Sequence, residues 1–188
     1  MKTGFRKGFF YSDSDATKSL DAASRIMVSY PSDKLKQIID EFIQTLEKVQ
    51  TNDGYLFTYN QILFPKVRWK NIQVEHELYS HGHLIEGAPF HLLATKDRRL
   101  MDLAEKAASL INSDFREKRR VIAPGHQEIE IALMRLYRST KNISYLELAE
   151  YFLKNRGKSF GFGFRFLKQT VSTGFRMSKV EKLKKKYL

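Results

Sequence analysis

The sequence contains no cysteine, one tryptophan and four prolines among its 188 residues. The lack of cysteine excludes disulfide bonds, thiolate nucleophiles and cysteine-based zinc sites within these residues. No apolar run approaches the roughly 20 residues that span a membrane. The first residues, MKTGFRKGFFYSDSD, contain no apolar stretch of signal-peptide length. The chain as written is therefore expected to be cytoplasmic.

Acidic residues are scarce at one end of the chain, and the positive charge collects there. The whole sequence has 33 Lys and Arg against 21 Asp and Glu, a net charge of +12. Residues 158–188 hold nine of the basic residues and one acidic residue, whereas residues 1–157 are nearly balanced. A nucleic-acid-binding domain carries its basic residues across an ordered face. The distribution argues against nucleic acid as a partner except through the basic tail.

Apolar residues recur at helical spacing through most of the chain, which predicts an all-α protein. One long segment, residues 51–72, interrupts this pattern and is rich in aromatic side chains. A loop of that length and composition is expected to be packed and to carry function. The predicted helices are 15–30, 33–50, 73–95, 98–113, 127–139 and 144–156.

Two stretches repeat with a period of 45 residues. TKDRRLMDLAE (95–105) aligns without gaps to TKNISYLELAE (140–150), and YPSDKLKQIID (30–40) is a weaker copy. A repeat of this length that contains two helices predicts an array of αα-hairpins. Such an array either runs as an open solenoid or closes into an α/α toroid. Loops rich in aromatic residues, His, Asp and Gly favour the toroid, because this composition suits a sugar-binding cleft.

The stretch HELYSHGHLIEG (76–87) places three histidines in eight positions. A His-Glu-x-x-His zinc site needs its second histidine four residues after the first, and Ser80 occupies that position. His76 and His83 share a helix face but are separated by a rise of roughly 10 Å, too far to bind one zinc ion. The spacing predicts no metal site. It leaves two interpretations, an ordinary polar helix surface or a histidine that lines a cleft.

A further histidine precedes the helix predicted in APGHQEIEIALMRLY (123–137). Glu128 and Glu130 lie in the first turn of this helix, where negative charge is favoured. One interpretation is a well-capped helix with His126 near its start. The other places His126 on the same rim as His76, since equivalent positions in successive repeats lie on one rim.

Four blocks of the sequence resemble, in order and spacing, the N-terminal half of glycoside hydrolase family 127, the β-L-arabinofuranosidase-like enzymes. The blocks are GFFYSDSDATKSLDAA, QTNDGYLFTY, HELYSHGHLIEGA and GHQEIEIALMRLYRSTKNISYLELAEYFLKNRG, and they cover about residues 4–157. The resemblance implies a partial (α/α)6 toroid of about three hairpins. It also implies an L-arabinofuranose-containing glycan as the ligand, with His76 and His126 as substrate-binding residues.

The departures from this family concern its chemistry. In the family, the nucleophile is a zinc-bound cysteine, further cysteines and a glutamate hold the ion, and another glutamate is the acid/base. All of these lie in the C-terminal half of the barrel, and Ser80-His81 replaces a small or Cys-containing pair. The resemblance therefore implies no catalytic residue, no metal ligand and no bound zinc in this chain. We expect a truncated hydrolase that keeps part of the sugar-binding wall and is inactive alone.

Retaining hydrolysis could in principle use two carboxylates about 5 Å apart instead of a cysteine. The candidates are Glu77, Glu86, Glu128 and Glu130. Helix capping and surface solvation explain these four residues adequately, so no catalytic pair is predicted among them.

The family pattern stops after FLKNRG, which divides the chain into a toroid-like part (1–157) and a divergent Phe/Gly- and Lys-rich tail (158–188). The tail is interpreted either as the product of a shifted reading frame or as a basic amphipathic helix for a membrane surface or RNA. Three hairpins leave apolar faces uncovered at the open edge. The chain must self-associate, cover them with the Phe-rich tail, or be poorly stable. The alternative function is a non-enzymatic helical-repeat module that binds protein or nucleic acid.

Overall fold

The computed structural model describes residues 8–158 and 162–187, and these residues are helical with no β-strand among them. A π-helical turn continues the fifth helix. The elements are α1 (Asp13–Ser29), α2 (Asp33–Val49), α3 (Thr58–Leu63), α4 (Glu77–Thr95), α5 (Arg99–Ile111), the π-helical turn (Asn112–Glu117), α6 (Glu128–Thr140), α7 (Ile143–Asn155) and α8 (Phe162–Tyr187).

Six of these helices pair into three hairpins, α1–α2, α4–α5 and α6–α7. Helix α4 packs against α1 on one side and against α6 on the other, so the first helices of the hairpins form one layer. Helices α2, α5 and α7 follow them as the second helices. The predicted all-α array of about three hairpins is confirmed.

Two glycines allow the first-layer helices to approach closely. A Cβ atom at Gly82 would lie 2.7 Å from Cγ of Glu128 on α6. A Cβ atom at Gly87 would lie 3.0 Å from the Cα atom of Asp21 on α1. Non-bonded carbon atoms normally stay about 3.5–4.0 Å apart. The contacts of α4 with both of its neighbours therefore depend on the absence of a side chain at these two positions.

The turns that end α4 and α6 have the same geometry. Lys96 and Lys141 are both left-handed, with φ of 62° and 60°. In each turn the threonine before the lysine, Thr95 or Thr140, accepts a hydrogen bond at 3.2 Å through its Oγ1 from the backbone N–H two positions on. The sequence repeat therefore corresponds to a structural repeat.

Helix α4 begins at Glu77, so the predicted start at residue 73 is wrong. Val74 and Glu75 close a turn on the carbonyl oxygen of Asn71, and His76 then takes a left-handed conformation with φ of 61°. The carbonyl oxygen of His76 accepts the first helical hydrogen bond of α4, at 3.0 Å. The other predicted boundaries agree with the structure to within two residues.

The aromatic segment 51–72 is packed, as predicted. Its largest rings lie in the hydrophobic core, and burial of apolar surface accounts for them. The expectation that the segment carries function stays a prediction. The buried rings are Tyr55, Phe57, Tyr59 and Trp69.

The tail forms one 26-residue helix, α8, which is longer than the short cationic helix considered for MSKVEKLKKKYL. It packs against the segment that precedes α4, through Gln169, Thr173 and Arg176. Phe164 and Phe175 are exposed, so these rings do not cover the open edge of the array. In the described part of the chain, none of the helices combines the length and apolarity that a membrane crossing requires.

Candidate functional site

Three aromatic rings meet at the rim where α4 and α6 begin. The Tyr79 ring centroid lies 5.5 Å from that of His76 and 4.5 Å from that of His126. His76 immediately precedes α4, and His126 lies two residues before α6. The structure therefore brings together the two histidines that were predicted to share a rim, and Tyr79 is the residue between them. We call these three residues the ring cluster.

His76 is held in a conformation that non-glycine residues seldom adopt. Its φ of 61° costs free energy, of the order of 1 kcal/mol or more, that surrounding contacts must offset. The rings of Phe10 and Tyr11 lie 6.2 and 5.8 Å from its imidazole. Residues held in this conformation are concentrated at binding sites and active sites.

Both histidines of the ring cluster are set up to be neutral at pH 7. Burial lowers the pKa of His76, and the nearby His126 and Lys18 lower it further. Burial also lowers the pKa of His126, together with the charges of Arg156 and Lys18. Nδ1 of His126 accepts the backbone N–H of Glu128 at 3.1 Å, so the proton of the neutral ring is on Nε2. His126, which is exposed, can therefore donate a hydrogen bond to a ligand.

Lys18 completes the rim from the neighbouring helix α1. Its Nζ lies 4.8 Å from the centroid of the Tyr79 ring. Neither Lys18 nor Tyr79 was predicted from the sequence. Tyr79 had a usable signal, because it is one helical turn from His76 in the HELY block. Lys18 had a weaker signal, since it lies 58 residues before His76, although it belongs to the GFFYSDSDATKSLDAA block.

His81 is a structural residue, unlike the histidines of the rim. Its Nε2 accepts the backbone N–H of Leu56 at 3.0 Å, and its Nδ1 therefore donates to the carbonyl oxygen of Glu77 at 2.8 Å. Burial lowers its pKa to about 4. His81 ties the aromatic segment to α4 and is not available to a ligand.

Next to the ring cluster, Glu86 and Glu128 form a buried carboxyl pair. The carboxyl oxygens of the two residues lie within 4.8 Å of each other. Burial, together with the hydrogen bond and negative charge of Glu86, raises the pKa of Glu128 to about 8. Burial opposes ionisation of Glu86 as well, but the bond from Glu128 and the charges of Arg135 and Arg25 lower its pKa. Arg135 Nε lies 2.7 Å and Arg25 Nη2 3.0 Å from Glu86 Oε1.

The four candidate glutamates are all buried, so surface solvation does not explain them. The carboxylate of Glu77 accepts the backbone N–H of Trp69 at 3.0 Å and the hydroxyl of Tyr55 at 2.5 Å, which ties the aromatic segment to α4. Glu130 pairs with Arg156 at 2.6 Å. Within this set, the Glu86–Glu128 pair brings two carboxyl groups within 4.8 Å of each other.

Two groups of side chains in the described residues have metal-ligand atoms within 4.8 Å of one another. They are His83, Glu86 and Glu128, and Asp40, His91 and Asp97.

In each group, arginines already bind carboxylates. Arg25 and Arg135 bind Glu86, and Arg99 lies 2.8 Å from Asp40 and also pairs with Asp97. The thiolate-held zinc of the resembled family does not fit these residues, because the sequence has no cysteine.

Comparison with known proteins shows which family the chain belongs to. The model of one protein family, described as Beta-L-arabinofuranosidase, GH127 catalytic domain, matches residues 2–180. The chain belongs to this GH127 family. The predicted resemblance is confirmed, and the three hairpins are a partial α/α toroid. The match continues to residue 180 and so includes most of α8, although the motifs end at residue 157. The division of the chain at residue 158 stays a prediction.

Individual GH127 relatives agree with this assignment. The non-reducing end beta-L-arabinofuranosidase of Bifidobacterium longum subsp. longum is 34% identical over 157 residues, 80% of this chain and 24% of that protein. The crystal structure of a GH127 beta-L-arabinofuranosidase from Geobacillus stearothermophilus T6 is 37% identical. It superposes with a TM-score of 0.82 over 92% of this chain and 27% of that one. A GH127 beta-arabinofuranosidase of solved structure gives 34% identity and a TM-score of 0.75 over 85% and 27%. The chain thus spans about a quarter of the length of these relatives.

Proposed function

We propose that these 188 residues form part of the sugar-binding wall of a β-L-arabinofuranosidase-like hydrolase and bind an L-arabinofuranose-containing glycan through the ring cluster. The observation that supports this most is that His76 and His126 both contact Tyr79 at one rim. The names of the relatives supply the substrate class, since they are beta-L-arabinofuranosidases.

The chemistry of the ring cluster suits a neutral ligand rich in hydroxyl groups. Neutral imidazoles offer one donor and one acceptor each, and a sugar hydroxyl can pair with either. The proton on Nε2 of His126 is directed away from the bond that its Nδ1 accepts from the backbone. Flat rings beside these nitrogens provide apolar surface for the C–H groups of a furanose. Lys18 adds a further donor at the rim.

We further propose that these residues do not hydrolyse the glycan by themselves. The family resemblance implies a cysteine nucleophile, and the 188 residues contain none. The buried Glu86–Glu128 pair does not replace it, because Arg25 and Arg135 hold Glu86. A nucleophile and an acid/base also need separate positions on either side of the scissile bond. The oxygens of these two carboxyl groups instead lie within 4.8 Å of each other.

Titration calorimetry with a β-L-arabinofuranosyl disaccharide tests the binding. We expect His76→Asn and His126→Ala each to weaken the affinity about tenfold or more, equal to about 1.4 kcal/mol. Asparagine is chosen at residue 76 because it tolerates the left-handed backbone. The matched control is Tyr30→Ala, which removes an exposed ring at the far end of α1, roughly 18 Å along the helix from Lys18.

Unchanged affinity in both histidine variants, with the fold intact by circular dichroism, would contradict the proposed site. Equal weakening by Tyr30→Ala would show that the effect is not local. Release of free arabinose by the purified 188-residue chain would contradict the proposal that it does not hydrolyse the glycan.

A further inference from the structure

Helix α8 packs with its polar side inward. Gln169, Thr173 and Arg176 are buried on this side. The Gln169 side chain accepts the backbone N–H of Gln73 at 2.9 Å. Thr173 donates to Glu75 at 3.0 Å, and Arg176 pairs with the same carboxylate at 3.0 Å. Hydrogen bonds and an ion pair therefore fix which side of α8 faces outward.

The opposite side of α8 is apolar and exposed. Phe164, Leu167, Val171 and Phe175 follow one another at spacings of three, four and four residues, which places them on one helix face. Phe164 and Phe175 are each 75% exposed, Leu167 60% and Val171 50%. We call these four residues the apolar stripe. Its length from first to last residue is about 16 Å.

Positive charge lies along one side of the apolar stripe and beyond its C-terminal end. Residues 162–187 contain eight Lys and Arg against one Glu. At 100° per residue, Lys168 and Lys179 lie about 40–60° from Phe164, and Lys182 continues the line of the stripe. All three lysines are exposed. A partner for this surface must therefore offer negative charge and an apolar layer side by side.

This charge decides between the possible occupants of the stripe. A second copy of α8 would bring two faces of the same sign together, which is unfavourable. A double-stranded nucleic acid would pair with the lysines but would leave the two phenylalanine rings in water, because its bases are stacked inside the duplex. A single strand could stack bases on the two rings, but it would leave Leu167 and Val171 between them exposed. An anionic lipid surface offers phosphate groups above an acyl layer, and helices that have an aromatic and aliphatic face next to basic residues bind at that boundary.

We infer that α8 docks through the apolar stripe on an anionic membrane surface, lying in the plane of the interface. Phe164 and Phe175 enter the boundary between headgroups and acyl chains, while Lys168, Lys179 and Lys182 pair with lipid phosphates. The inference is independent of the proposed sugar site, which uses residues of α1, α4 and the start of α6.

Sedimentation of the 188-residue chain with vesicles tests the inference. We expect binding to vesicles of phosphatidylcholine mixed with phosphatidylglycerol, weaker binding to phosphatidylcholine alone, and loss of the difference at high salt. The double variant Phe164→Ser/Phe175→Ser should lower the affinity for the mixed vesicles about tenfold or more. The triple variant Lys168→Gln/Lys179→Gln/Lys182→Gln should remove the preference for anionic lipid.

The matched controls are Ile62→Ser and Leu93→Ser, which change exposed apolar residues on α3 and α4. We expect both to bind mixed vesicles as the unaltered chain does, and circular dichroism verifies that each variant is folded. Unchanged vesicle binding by the Phe164→Ser/Phe175→Ser variant would overturn the inference.

Two other results would also overturn it by assigning the stripe to a different occupant. One is self-association without lipid that the Phe164→Ser/Phe175→Ser variant abolishes, which would indicate a second copy. The other is binding to RNA that the same variant loses, in a chain that does not sediment with mixed vesicles.

Discussion

The histidines near the start of α4 have different roles because their surroundings differ. The ring of His81 uses both nitrogens for backbone hydrogen bonds inside the protein. His76 and His126 lie at the rim, with Tyr79 between them. His83 contacts the same Tyr79 ring at 4.5 Å and lies 3.4 Å from the carboxyl group of Glu128. The ring cluster is therefore coupled to the Glu86–Glu128 pair through a single imidazole.

The proton held by Glu128 should make stability depend on pH. Its pKa rises from 4.5 to about 8 on folding, so the native state keeps a proton that the unfolded chain releases above pH 4.5. The stabilisation from this proton is complete at low pH and is lost as pH rises to 8. The Glu128→Gln side chain cannot titrate. This variant should therefore lose less stability than the unaltered chain as the pH rises. Its Tm relative to the unaltered chain should be roughly 10 °C higher at pH 8 than at pH 5.

Thermal unfolding followed by circular dichroism at several pH values measures this difference. Glu150→Gln is the control, because it removes an exposed carboxylate on α7. Parallel Tm curves for Glu128→Gln and the unaltered chain between pH 5 and 8 would show that Glu128 holds no proton of this kind.

The helices of the first layer pack at distances set by glycine. Helix α4 is the central one, since it alone contacts both α1 and α6. Gly82 lies on its α6 side and Gly87 on its α1 side. This spacing also brings Glu86 on α4 to Glu128 on α6, so the carboxyl pair depends on the same close approach.

Gly82→Ala should destabilise the protein. The new methyl group would meet Cγ of Glu128 at 2.7 Å and backbone atoms of α6 at 3.2 Å, so the helices must move apart. Overpacking of this kind costs about 1–3 kcal/mol, which lowers Tm by roughly 3–10 °C in a chain of this size. Thermal unfolding measures the change.

Gly174→Ala on α8 is the matched control, since nothing lies within 4 Å of its added Cβ. Alanine favours a helix over glycine by about 0.5–1 kcal/mol, so Tm should not fall. A Gly82→Ala variant with the same Tm as the control would mean that α4 and α6 are not in close contact.

Sequence periodicity predicted the hairpins because each helix must bury one apolar face. Leu103 and Leu148, identical in the two repeats, are both buried. The repeat also placed His76 and His126 on one rim. It did not reveal that His76 precedes α4 in a left-handed conformation, since a local break of this kind leaves the apolar pattern unchanged.

Features that depend on distant packing were not predictable in this way. The Glu86–Glu128 pair forms only because Gly82 lets α4 and α6 approach, and both glutamates looked like surface positions. The direction of α8 was hidden for a similar reason. Glu75 determines which side of α8 faces inward, because it binds Arg176 across about 100 residues of sequence.

As a whole, the molecule is an arc of three hairpins with apolar residues exposed at its ends. Ile131 and Met134 lie on α6, the last helix of the first layer, and both are exposed. Ile26 and Ile38 are exposed at the other end, on α1 and α2. Exposed apolar surface of this kind favours association.

We expect the 188-residue chain to self-associate as its concentration rises. Ile131→Ser/Met134→Ser should weaken this association about tenfold, because it replaces two apolar contacts on one helix face. Light scattering after size-exclusion chromatography measures the mass across a range of concentrations. Leu93→Ser, an exposed position on α4, is the control. A chain that stays monomeric at all concentrations, or a variant that associates as before, would contradict the expectation.

The turns after α4 and α6 share one geometry, which bears on how a chain of this kind could gain or lose hairpins. Each passes from a first-layer helix to its second helix through a left-handed lysine and the same threonine hydrogen bond. A duplicated or deleted 45-residue unit would meet its neighbours at a connection that already fits. The gain or loss of whole hairpins would therefore require adjusted packing between helices. The turns that connect the helices could keep their present geometry.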